Sequence, residues 1–209
     1  LALGFEVQNT VKAIYGADIL AGAGWYQKRK EGHAYFFPGQ FSDRAGAYFA
    51  KYGKENARKG MSRWFANAMI NARLDPTAQE YHNTMPNPYE ACLAAEPNGR
   101  AFVENLNYFD CSKVSDGASG IAVCSEEGLK KMGVDKSEAV EIVSFVQSVR
   151  DITKDPTDLT ELEAIKYCAN KALEEAGITV HQLSTAEVHD CFSIAGILTV
   201  EALGLAAPG

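Results

Sequence analysis

Residues 187–193, EVHDCFS, set His189, Asp190 and Cys191 side by side and run straight into the apolar stretch IAGILTVEALGL at 194–205. The stretch 184–191, STAEVHDC, predicts a short strand, and the apolar run keeps helical spacing until Gly204 can end it. A strand that feeds a helix is the repeating step of a layered α/β fold. Ligands in such folds bind outside the carboxyl ends of the strands. Residues i and i+2 of a strand share a face, so the pattern turns His189 and Cys191 to one side and Asp190 to the other. A helix N-terminus stabilises an anion and lowers the pKa of a thiol. The pair thus suits a proton donor or acceptor beside an oxyanion stabiliser. The same residues also fit a half-buried histidine, a hydrogen-bonded aspartate and an inert core cysteine, and spacing alone leaves both readings open. Zinc is disfavoured, since only two good ligands lie close together.

Upstream, DLTELEAIKYCANKALEEAG (158–177) predicts a helix that starts at Asp158 with capping spacing to Glu161 and ends at Gly177. AVEIVSFVQSV (139–149) predicts a strand, and so does GIAVCS (120–125), with Ser125, Glu126 and Glu127 opening a helix behind it. SDGASG (115–120) precedes a strand and opens no helix, which excludes a phosphate-binding loop and leaves a tight turn. Cys111 and Cys124 flank that turn and read as packing residues. The segment 24–53, GWYQKRKEGHAYFFPGQFSDRAGAYFAKYG, is broken by Gly and Pro and predicts short helical pieces. Helical spacing returns over 54–74, and 75–100 holds four of the seven prolines. About a hundred residues of this kind read as a lid or binding subdomain. His33, His82 and His181 read as surface or structural residues.

The 209 residues carry 20 Lys plus Arg against 27 Asp plus Glu, a net charge of -7. A nucleic-acid binder shows a basic face or tail. The densest basic run here, KYGKENARKGMSR (51–63), reads as a solvated helix face. No stretch approaches the roughly 20 apolar residues of a membrane span. Five widely spaced cysteines without a CxxC suggest neither a disulfide framework nor a structural zinc site. A reducing compartment fits, and a cytoplasmic one is expected.

VHDCFSIAGILTVEALGL (188–205) closely resembles the HDCF segment of sterol-carrier-protein-type thiolases and their bacterial and archaeal relatives. LALGFE (1–6) resembles the strand after the nucleophile helix of that family, FDCSKVSDGASGIAVCSEEG (109–128) the close of its N-terminal half, and DRAGAYFAKYG (43–53) a loop-domain stretch between them. The resemblance implies the five-layered α-β-α-β-α thiolase fold, of which this chain would hold the middle portion. Residues 1–24 would end the N-terminal half, 25–109 form a loop or lid subdomain, 110–135 supply the last strand and helix of that half, and 136–209 open the C-terminal half. The implied chemistry is thiolysis of a 3-oxoacyl-CoA, or the reverse Claisen condensation, through an acyl-cysteine. His189 would help form the oxyanion hole, Cys191 would be the acid/base candidate, and Asp190 and Phe192 would support and shape the loop. The region 25–105 would cover coenzyme A, a substrate; no tightly bound cofactor and no metal is implied.

None of the five cysteines sits in the nucleophile's context, and no Gly-His-Pro segment occurs. The resemblance therefore implies an internal piece of a protein near twice this length, with the nucleophile outside it. It further implies a homodimer, in the cytoplasm or, in a eukaryote, the peroxisome. The alternative is a thiolase-like protein without thiolytic turnover: a lipid or acyl-CoA binder, or a side-chain-cleaving aldolase with a small zinc-ribbon/OB-fold partner. A third reading, a Cys-His hydrolase on Cys191 and His189, predicts no dependence on CoA thioesters.

Overall fold

In chain order the elements are β1 (Ala2–Glu6), α1 (Ala13–Leu20), α2 (Phe36–Tyr52), α3 (Lys54–Ala72), α4 (Pro88–Ala94), β2 (Gly117–Ile121), α5 (Glu126–Met132), α6 (Glu163–Ala176) and α7 (Ser193–Ala202). They are seen in a computed structural model that describes residues 2–6, 12–29, 31–97, 104–113 and 115–209. β1 and β2 pair antiparallel, from Ala2 opposite Ile121 to Glu6 opposite Gly117. The helices α2 and α3 lie under α7, and these three elements hold the core.

The segment 24–53 departs from expectation, because 36–52 is one continuous helix. Pro38 lies in its first turn, where a backbone N–H has no intrahelical partner to lose. Gly53, with φ 92°, then separates α2 from α3. Small residues on these two helices bring them close to α7: Ala45 and Ala57 are buried beside Tyr48, Phe49 and Met61, against Ile194, Ala195 and Leu198. Fully burying a side chain such as Ile194 or Leu198 stabilises by about 1.5–3 kcal/mol. The helix α7 is apolar on nearly all sides and is buried to match.

Capping residues explain several boundaries. Ser125 accepts a hydrogen bond from Gly128 N at the start of α5, as its sequence predicts. Gly177, with φ 68°, ends α6 in the left-handed conformation. The start of α6 is a correction. Asp158 does not cap it; its carboxylate accepts from the backbone and hydroxyl of Thr160 at 2.7 and 2.6 Å, making a local turn, and the helix begins five residues later. That turn docks on α2, whose Arg44 donates to the carbonyl of Leu159 at 2.7 Å and whose Lys51 pairs with Asp158 at 2.9 Å.

Three strand expectations need revision. The strand expected over 120–125 lies at Gly117–Ile121, and Cys124 behind it is exposed, not packed. Residues 139–149 form no ladder, and Val140 and Phe145 are 95% and 81% exposed. Residues 184–191 likewise join no ladder among the described residues, and the isolated bridge described below lies one residue further on, at Phe192. A strand is defined by a neighbour that takes its N–H and C=O groups, and no described element supplies one here. Among the described residues no helix is long and apolar enough to cross a membrane.

Candidate functional site

The site segment is extended up to Phe192, at φ -134° and ψ 145°, and becomes helical at Ser193. Its neighbour is FDCS at 109–112, and the two run antiparallel in a three-residue register. Asp110 meets Ser193, whose Oγ donates to Oδ1 at 2.7 Å. Cys111 bridges Phe192, and Ser112 N donates to the carbonyl of Cys191 at 3.0 Å. Phe192 is buried and stacks on Phe41 with ring centroids 4.4 Å apart, filling the core beneath the segment.

Asp110 is the centre of this junction. Its side chain has no exposed surface, and its Oδ2 takes a 2.6 Å ion pair from Arg58 of α3 and a 2.8 Å bond from Asn107 N. Asn107 in turn donates through Nδ2 to the carbonyls of Cys92 and Ala95, at 2.9 and 3.2 Å. A buried carboxylate with a guanidinium and two further donors is a satisfied one.

Asp190 is exposed, and its carboxylate accepts from Trp64 Nε1 of α3 at 2.8 Å. His189 is exposed and Cys191 half-buried. Burial pushes the Cys191 thiol up to about 11; the charge of Asp190 adds to this, and the backbone N–H groups of Cys191 and Phe192 oppose it. The thiol of Cys111 is also pushed up to about 11, first by burial and then by a charge on Cys191. The thiol-lowering effect expected of a helix N-terminus is thus outweighed, and Cys191 holds its proton at neutral pH. That state suits a proton donor.

The other histidines stand apart from this segment. His33 bonds Asp43 at 2.9 Å, and His82 lies edge-on to Tyr81. A cleft of about 400 Å³ between α1 and the start of α2 is lined by Asp18, Arg29, His33 and Phe36 and includes none of residues 189–193. Among the described residues no three His, Cys, Asp or Glu side chains come together as a metal site.

The residues that sequence reasoning missed are Arg58, Trp64, Asn107 and Asp110. Arg58 belongs to the basic run expected to face solvent, yet its side chain is only 13% exposed. One local signal did exist. Asn107 and Asp110 form a capping box around the short turn Tyr108–Asp110, and their three-residue spacing is readable.

Residues 147–209 match the family described as thiolase C-terminal domain-like, which takes in α6, the HDCF segment and α7. The chain is 32% identical over 174 residues to an acetyl-CoA acetyltransferase of Methanocaldococcus jannaschii, covering 83% of this chain and 42% of that protein. It is 30% identical over 138 residues to the benzoylsuccinyl-CoA thiolase subunit BbsB of Thauera aromatica, 64% of this chain and 35% of that one. Against sterol carrier protein 2 of Oryctolagus cuniculus it is 32% identical over 144 residues, 63% and 25% of the two chains. These matches support a fragment of the thiolase superfamily, with part of a thiolase-like α/β fold that is rich in helix and has few strands. The chain spans less than half the length of these relatives.

Proposed function

We propose that the protein is a thiolase-type acyltransferase acting on acyl-CoA thioesters. The observation that carries this reading is the family match over 147–209, which contains His189 and Cys191 at the mouth of α7. Relatives named as an acetyl-CoA acetyltransferase and a benzoylsuccinyl-CoA thiolase subunit support it. In thiolysis of a 3-oxoacyl-CoA, a cysteine outside the described site attacks the 3-keto carbon and the bond between carbons 2 and 3 breaks. The electron pair leaves on carbon 2 as a thioester enolate. His189 donates a hydrogen bond to the enolate oxygen, and the Cys191 thiol gives its proton to carbon 2, releasing acetyl-CoA. The shortened acyl group stays on the nucleophilic cysteine until free coenzyme A attacks it, the coenzyme's thiol proton returning to Cys191, and leaves as the shortened acyl-CoA. In the condensing direction the Cys191 thiolate removes the proton from carbon 2. Asp190, held by Trp64, supports the loop, the region 25–105 covers the coenzyme, and a homodimer is the working assembly.

The test is His189→Ala and Cys191→Ala assayed with acyl-CoA in both directions. Losing the oxyanion donor costs on the order of a hundredfold or more in rate while acyl-CoA still binds. Cys191→Ala slows condensation and thiolysis more than it slows formation of the acyl-enzyme. Unchanged turnover in His189→Ala overturns the assignment.

A second reading, a lipid or acyl-CoA binder without thiolysis, is favoured by relatives named sterol carrier protein 2 and a non-specific lipid-transfer protein-like 2 of Caenorhabditis elegans. It predicts acyl-CoA binding with no release of shortened acyl-CoA at any level of free coenzyme A.

A further inference from the structure

We infer that Asp110 is a positioning residue for Cys191, acting through the hydroxyl of Ser193 and the antiparallel register of 110–112 against 191–193. Three contacts in a row define that register: Asp110 with Ser193, Cys111 with Phe192, and Ser112 N with the Cys191 carbonyl. A register of three residues is too short to hold itself, and among the described residues the side-chain bond that crosses it is the one from Ser193 to Asp110. Asp110 supplies what it lacks. One oxygen is fixed by Arg58 and Asn107 to the frame of α3 and α4, and the other is left for Ser193, the first residue of α7. The carboxylate thus transfers the position of a rigid helix pair to the residue two places beyond the thiol.

Stability alone gives a weak account of this arrangement. A buried ion pair is often no better than apolar residues of the same volume, because desolvation offsets the attraction. A fixed, charge-assisted bond of 2.7 Å does fix geometry. The catalytic meaning of the inference rests on the acyl-transfer reading; the positioning itself does not.

The experiment uses iodoacetamide on the purified protein, with the labelled peptides mapped by mass spectrometry over a range of pH. Ser193→Ala removes one bond and leaves Arg58 paired. It raises the labelling rate of Cys191 about tenfold and moves its pH midpoint, the scale expected when a bond to a charged acceptor is lost. Ser193→Thr keeps the hydroxyl and restores the parent rate and midpoint. Asp110→Asn gives the larger effect in the same direction wherever it folds. Parent-like labelling of Cys191 in Ser193→Ala overturns the inference, and so does a Thr variant that fails to restore it. An equal rise at buried Cys92 also overturns it, because that marks general loosening. Labelling that follows the hydroxyl in a protein without acyl transfer upholds the positioning role and removes the enzymatic reading.

Discussion

At the scale of single residues, Cys191 shows how environment outweighs a local motif. The start of a helix and a neighbouring histidine argue for a reactive thiolate, yet half-burial and the charge of Asp190 push the thiol from its ordinary 9.0 to about 11. The folded protein therefore holds this proton more tightly than the unfolded chain does. By linkage, the group's contribution to stability is complete below about pH 9 and is lost as the pH rises through about 11. Thiolate absorbance in the parent protein, compared with Cys191→Ser, should show Cys191 half ionised near pH 11. A midpoint below 9 would mean that the dipole dominates after all. The same measurement bears on chemistry, since a thiol that keeps its proton at pH 7 is a donor first and a base only when the substrate draws the proton away.

At the scale of elements, α7 and α3 depend on each other's small residues. A Cβ on Gly196 would clash with Cε2 of Trp64, whose ring also carries the bond to Asp190. Gly196→Ala therefore drives the indole away, costing about 1–3 kcal/mol by overpacking. It also frees Asp190, which thermal unfolding and tryptophan fluorescence together would register. What the sequence told about the elements follows the range of the forces involved. The start of α5 at Ser125 and the ends at Gly177 and Gly204 were legible, because caps are local. The continuity of α2 was not, because Pro38 breaks a helix only outside its first turn, and one sequence does not say where that turn lies. The start of α6 was misread because Asp158 can satisfy either a helix or its own turn, and Arg44 and Lys51 on α2 favour the turn.

At the scale of the whole molecule, the candidate site is half legible in the sequence. His189, Asp190, Cys191 and Phe192 are adjacent in sequence and could be named from their order. The Arg58–Asp110–Ser193 line could not, since its members lie 52 and 83 positions apart and meet only through the packing of α3 and α7. Residues 139–149 read as a strand by composition, and their exposure shows that a β-prone sequence makes no strand without a neighbour. The antiparallel register at 110–112 has one more consequence, which concerns motion. The Ser112 amide belongs to no helix, and its residue is exposed, so by locality alone it should exchange its hydrogen with solvent as quickly as a loop does. It nevertheless donates to Cys191 within the grip of α3, α7 and the buried Asp110, and it can open only when that unit opens. Native-state exchange should find the Ser112 amide as slow as the interior amides of α7, and markedly faster in Ser193→Ala. The residues around the thiol would then breathe with the helical core, as one cooperative body.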